Sequence, residues 1–261
     1  MSGSLQFRFG ATKHLRVTYL ITGANRGLGR GLVEALIQRP NTTVIAGVRD
    51  LSSATSKSLS DLPLATGTRI IPLLVSSSDE LSPSQAVEKL QNTHGIKHID
   101  VVIANAGISQ YYGQVSETPL SEVREHFEVN TIGVLTLYQA TLPLLLKSPD
   151  PIFVALSSGV SSIGTMEDIP IPVTAYGMSK AALNYMVRKI HFDNEKLIAF
   201  VICPGWVQTD MGKSGATAMG LESAPVTTEE SVKGMLEKID NATKEETSGT
   251  FQSFDDKKYP W

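Results

Sequence analysis

Residues 21–36 read ITGANRGLGRGLVEAL. The apolar run VTYLI at 17–21 enters Gly23, Gly27 and Gly29 and passes directly into a helical pattern. A strand that turns at once into a helix leaves backbone amides and a helix N-terminus above the strand end, which makes an anion cradle suited to a pyrophosphate. The spacing is GxxxGxG rather than GxGxxG, and glycines also mark plain turns. The rest of the chain therefore has to carry part of the fold assignment.

Outward from that turn, apolar runs at 17–21, 43–48, 69–75, 100–106, 151–157, 197–203 and 249–254 alternate with helical patterns near 29–38, 83–93, 120–147, 175–192 and 228–240. Near-continuous apolar strands need cover on both faces, so the alternation predicts an α/β fold, a doubly wound Rossmann-type parallel sheet of about seven strands. No linker, repeat or low-complexity tract divides it, which predicts one domain over 17–261 behind a loose N-terminal tail at 1–16. The most apolar stretch, IGVLTLYQATLPLLL at 132–146, contains Gln139 and Pro143 and is too short to span a bilayer, so it reads as a buried helix.

The 261 residues are 41% apolar and 19% charged, enough for a substantial core, with a net charge of −3. That balance gives no whole-protein attraction to nucleic acid or to an anionic membrane. The single Cys203 cannot form an internal disulfide, and the opening MSGSLQFRFGATKHLR lacks the apolar core of a signal peptide, so a cytoplasmic protein is expected. His14, His94, His98, His126 and His191 form no metal-ligand spacing with Cys or one another, so no metal is implied.

TAYGMSKAALNYMVRK at 174–189 places Tyr176 and Lys180 one turn apart on a helix. A tyrosine of ordinary pKa, about 10, is a poor base at neutral pH, and a neighbouring cation favours its phenolate. Lowering it by about three units takes roughly 4 kcal/mol of preferential stabilisation. Tyr and Lys four apart also occur as an amphipathic face with a snorkelling lysine, so the pair alone does not assign chemistry.

TGANRGLG, NAG at 105–107, Asn130 in EVNTIG, LSS at 156–158, YGMSK and PGWVQTD stand in the order and approximate spacing of the short-chain dehydrogenase/reductase superfamily, which the chain resembles over nearly its whole length. More narrowly, AYGMSKAALNYMVRKIHF, PGWVQTDMG and the stretch ATKEETSG through PW are similar to fungal norsolorinic acid ketoreductases of aromatic polyketide pathways. The resemblance implies NADPH/NADP+ as coenzyme and a ketone reduced to a secondary alcohol. It implies that Tyr176 exchanges a proton with the substrate oxygen, Ser158 hydrogen-bonds that oxygen, Lys180 holds the nicotinamide ribose, and Asn130 helps hold a proton-relaying water. Coenzyme contacts implied are Gly23, Asn25, Arg26, Gly27, Leu28 and Gly29 in the turn, Asn105, Ala106 and Gly107 after the fourth strand, Tyr176 and Lys180, and Pro204, Gly205, Val207 and Thr209 after the sixth. A homodimer or homotetramer through the helices at 120–147 and 175–192 is also implied.

The interval from Ser158 to Tyr176, GVSSIGTMEDIPIPVTA, is longer than the family usually shows. Ser157 and Ser161 therefore remain alternatives to Ser158. Where NAD enzymes place an acid after the second strand, this chain has Val48 and then Arg49, and Arg26 adds a second guanidinium, a pairing that suits a 2'-phosphate. An alternative is that Arg49 simply pairs with Asp50 at the surface. The segment 206–226 carries Gly212, Gly215 and Gly220, lacks clear helical periodicity near its start, and reads as a substrate lid. Trp206, Met211 and Met219, with Tyr111, Tyr112 and Met166, are expected to line an apolar, partly aromatic pocket for a flat phenolic ketone. Two other functions fit the same residues: an alcohol dehydrogenase acting oxidatively, and a non-catalytic NADP(H)-binding regulator.

Overall fold

The computed structural model describes residues 16–261, so the tail expected at 1–16 lies, except for Arg16, outside the described residues. Among them, strands β1 (Val17–Thr22), β2 (Thr42–Val48), β3 (Arg69–Leu74), β4 (Val101–Ala104), β5 (Ile152–Leu156), β6 (Ile198–Cys203) and β7 (Phe251–Ser253) form one sheet, ordered β3-β2-β1-β4-β5-β6-β7. Every pairing is parallel. The helices are α1 (Gly27–Leu36), α2 (Ala54–Lys57), α3 (Ser82–Asn92), α4 (Leu120–Phe127), α5 (Gly133–Leu145), α6 (Thr174–Asp193), α7 (Asp210–Ala218) and α8 (Thr228–Asp240). None is long and apolar enough to cross a membrane among the described residues.

Strand side chains alternate between two faces, and each face has its own helices. Tyr19 and Ile21 pack with Leu32 and Leu36 of α1 and with Met235, Leu236 and Ile239 of α8. Leu20 packs on the other side with Leu90 of α3, Leu144 of α5 and Leu183 and Val187 of α6. β2 is buried at all its positions, as a strand covered twice must be.

Two helices were not legible in the sequence. α2 is a single turn, and α7 contains Gly212 and Gly215, which weaken its pattern. What starts α7 is a cap: the Gly212 amide donates to Thr209 Oγ1 at 3.2 Å. The long pattern at 120–147 is also interrupted, because a π-helical turn at Glu128–Ile132 separates α4 from α5. The chain leaves β1 toward β2 on one side and returns to β4 on the other, which opens a crevice at the carboxyl ends of those two strands.

Candidate active site

The glycine turn forms one wall of the crevice. Gly23 and Gly27 hold φ of +64° and +53°, which disfavours any side chain there. A Cβ on Gly29 would lie 2.1 Å from the Gly23 carbonyl oxygen, so only glycine lets α1 start this close to β1. Arg26, the residue before α1, makes no side-chain cap, leaving the helix-opening amides facing the crevice. Across the turn, Asn105 donates from Nδ2 to the Thr22 carbonyl at 2.7 Å, and Thr22 Oγ1 accepts from the Asn105 and Ala106 amides at 3.1 and 3.0 Å. Asn105 and Ala106 thus tie the end of β4 to the end of β1.

The second wall comes from α6 and the serine loop after β5. Tyr176 and Ser158 line the same cavity, and the Ser158 hydroxyl pulls the Tyr176 phenol down. Ser157 does something different: its hydroxyl donates to Asn184 Oδ1 at 2.6 Å and lies 3.0 Å from Ser161 Oγ, which in turn accepts from Asn184 Nδ2 at 2.9 Å. Those groups close a buried network, whereas Ser158 faces the tyrosine.

Lys180 is buried, and its Nζ donates to the Leu156 carbonyl at 2.7 Å while lying 5.9 Å from the centre of the Tyr176 ring. Burial pushes its ammonium down to about 8. Tyr176 departs from the expectation that the nearby cation lowers it. Burial pushes the phenol well above the ordinary tyrosine range, against a smaller downward pull from Ser158. The reason is that desolvation of a phenolate outweighs everything else around the hydroxyl.

The π turn explains Asn130. It directs a fully buried carboxamide inward, where Oδ1 accepts from the Ile108 amide at 2.8 Å and Nδ2 donates to the Ile108 carbonyl at 2.9 Å and to Ser179 Oγ at 3.0 Å. A Cβ on Gly107 would sit 3.0 Å from Asn130 Oδ1 and 3.5 Å from Lys180 Nζ, so these two polar groups converge beside Gly107.

Pro204, Gly205, Val207 and Thr209 follow β6 and line one cavity with Leu28 of the glycine turn; Thr209 Cγ2 would be 3.4 Å from a Cβ on Gly27. The Thr209 hydroxyl is occupied in capping α7. Arg26 bridges the same gap through an exposed ion pair with Asp210 at 3.3 Å. Arg49 is exposed, and its expected surface partner Asp50 instead accepts from the amide and hydroxyl of Ser52 at 2.7 and 2.6 Å.

Between these walls lies a cavity of about 300 Å³, reached by Ser158, Tyr176, Leu28, Tyr112, Trp206, Met211, Met219, Ile169 and Ile171. No acidic or basic side chain among the described residues lines it. Two expected pocket residues are elsewhere. Met166 is 60% exposed on the outside of the serine loop. Tyr111 turns away, donating its hydroxyl to the Glu117 carbonyl at 3.0 Å while its ring covers Gly113. Among the lining residues the sequence did not suggest is Tyr259, which reaches the cavity from the far end of the described residues. Cys203, expected only as core, reaches the same cavity.

The family model described as short chain dehydrogenase matches residues 17–219. The chain is 50% identical over 250 residues to the norsolorinic acid ketoreductase of Dothistroma septosporum, covering 94% of this chain and 93% of that one. It is 46% identical over 246 residues to the norsolorinic acid ketoreductase of Aspergillus parasiticus, covering 93% and 90%. The crystal structure of NADPH-bound carbonyl reductase from chicken fatty liver superposes with a TM-score of 0.81 at 30% identity, covering 95% of this chain and 100% of that one. With the motifs assembled at one crevice and relatives of this identity aligned over nearly the whole chain, the protein belongs to the short-chain dehydrogenase/reductase family of oxidoreductases.

Proposed function

We propose that the protein is an NADPH-dependent ketoreductase that reduces an aromatic, polyketide-type ketone to a secondary alcohol. The observation that carries this reading is that Ser158 and Tyr176 together line an apolar cavity without charged side chains. The residues fit a nicotinamide coenzyme. The uncapped start of α1 and the glycine turn suit its pyrophosphate, Arg26 and Arg49 suit a 2'-phosphate, Gly107 and Lys180 suit a ribose, and Val207 and Thr209 suit the carboxamide. The reduced coenzyme supplies hydride to the carbonyl carbon.

The chain's own groups handle the proton. Ser158 donates a hydrogen bond to the carbonyl oxygen and Tyr176 gives its proton to that oxygen as it becomes an alcohol. A phenol held above its ordinary range keeps its proton until the oxygen becomes basic. Asn130 helps hold a water that relays a proton to Lys180, with which it converges beside Gly107. Trp206, Tyr112, Met211 and Met219 supply flat and polarisable surface for an aromatic ligand, and the segment 206–226 acts as a lid on it. The names of the relatives from Dothistroma and Aspergillus support the ketone class, and the coenzyme named for the chicken structure supports NADPH. Met178, Tyr185 and Phe192, exposed at seven-residue intervals on α6, support a homo-oligomer through that helix. The working compartment is the cytoplasm.

The test is NADPH consumption with aryl and anthraquinone-like ketones competing against a small charged keto acid at matched concentration. A higher kcat/KM for the aryl ketone is expected. A clear preference for the keto acid overturns the substrate class, and no consumption with any ketone overturns the reductase.

A further inference from the structure

Ser158 sits at the start of a long loop, and its hydroxyl can meet a carbonyl only if the backbone there is fixed. We infer that Tyr259, packed against the Gly159 backbone, is a positioning residue for Ser158; this rests on the reading that Ser158 and Tyr176 are the reacting pair. Gly159, the next residue after Ser158, donates its amide to Cys203 Sγ at 3.2 Å, and the Gly205 amide donates to the same sulfur at 3.4 Å. One buried sulfur thus joins the serine loop and the loop after β6. Tyr259 and Cys203 line the same cavity.

Tyr259 also packs against that backbone. A Cβ on Gly159 would be 3.0 Å from its hydroxyl oxygen and 3.1 Å from its ring, so the contact exists because residue 159 has no side chain. The same segment grips the loop twice more: Ser162 Oγ donates to the Pro260 carbonyl at 2.6 Å, and the Gly164 amide donates to the Trp261 carbonyl at 3.2 Å. Its own position is set by Phe251 of β7, whose ring centre is 5.0 Å from that of Tyr259, and by Arg188 of α6, 5.0 Å from the Trp261 ring. No fastening of this kind holds the Ser158 side chain among the described residues, so its direction follows the clamp.

Cys203 is the only cysteine in the chain, which makes the clamp directly readable. In the full-length protein, Tyr259→Ala should raise the rate at which the thiol reagent DTNB labels Cys203 severalfold. With NADPH and 2-acetylnaphthalene it should lower kcat roughly tenfold or more, the scale of a small misplacement, while the NADPH Kd from fluorescence stays within about twofold. Combined with Ser158→Ala, it should add almost nothing, because both changes remove one contribution. Tyr259→Phe, which keeps the ring, should show the same pattern in smaller measure and serves if the alanine variant does not fold. Unchanged labelling in both variants overturns the inference, as does a cost that multiplies with that of Ser158→Ala. If the unsubstituted enzyme turns over no ketone, the ketoreductase reading fails, and the labelling still decides whether the clamp exists.

Discussion

The glycine turn at 22–29 and the serine loop at 157–168 lie at the same edge of the sheet but are held in different ways. The turn is closed by its own backbone, Gly29 against Gly23, with Asn105 as its cross-tie. The serine loop is held by hydroxyls and carbonyls up to 98 positions away, as in the bond from Ser162 to Pro260. A phosphate cradle needs backbone amides, which are alike in every chain, so glycine spacing suffices to specify it. A substrate wall needs particular side chains in particular places, and these can be drawn from any part of the fold.

If the two halves are separable, changes in one should leave the other intact. Tyr176→Phe tests this with the largest effect: turnover should fall by about 10² or more while NADPH binding is nearly unchanged. Parallel loss of coenzyme affinity, measured by fluorescence titration, would join the halves.

Lys180 sits between them, and its effect appears as pH dependence. Its folded pKa near 8 lies below the ordinary 10.5. Below pH 8 the lysine is charged in both states, and the fold bears the full desolvation cost. As pH rises toward 10.5 the folded form has released its proton while the unfolded form still holds one, so the fold gains up to roughly 3 kcal/mol relative to Lys180→Met. Denaturant midpoints of the two proteins at pH 7.5 and about 10.5 check this. A constant difference would show that the ammonium is not desolvated.

On the coenzyme side, Arg49→Met should weaken NADPH by about 1.5–3 kcal/mol and leave NADH little changed. Equal losses for both coenzymes would remove Arg49 from the 2'-phosphate site. The smallest effects belong to the substrate side. Tyr112→Ala should raise KM for an aryl ketone about tenfold, whereas Tyr111→Ala and Met166→Ala should stay within about twofold, since a surface change away from such contacts costs little. A reversal between the neighbouring tyrosines would mean that the loop after β4 rearranges around the ligand.

The same division governs what could be read in advance. Seven apolar runs gave the seven strands because burial on both faces leaves a continuous signature, and YGMSK gave Tyr176 and Lys180 because one helical turn fixes their distance. α7 was hidden by its glycines and started by a cap that has no periodicity. Tyr111 and Tyr112 could not be told apart, since adjacent residues point in opposite directions only once the backbone is known. Tyr259 gave no signal at all: its place depends on β7 pairing with β6 and on Phe251 beneath it. The raised tyrosine likewise comes from burial, which no spacing encodes.

The π turn at Glu128–Ile132 makes the site depend on a count of residues as well as on their identity. A π turn carries one residue more than the α-helical turn it replaces. Deleting a single residue there would let α4 and α5 merge into one regular helix of unchanged phase, and the widened turn that directs Asn130 inward would be gone. Asn130 would lose Ile108 and Ser179 without being altered itself. In a lineage, this stretch should therefore tolerate substitution far better than a change of length.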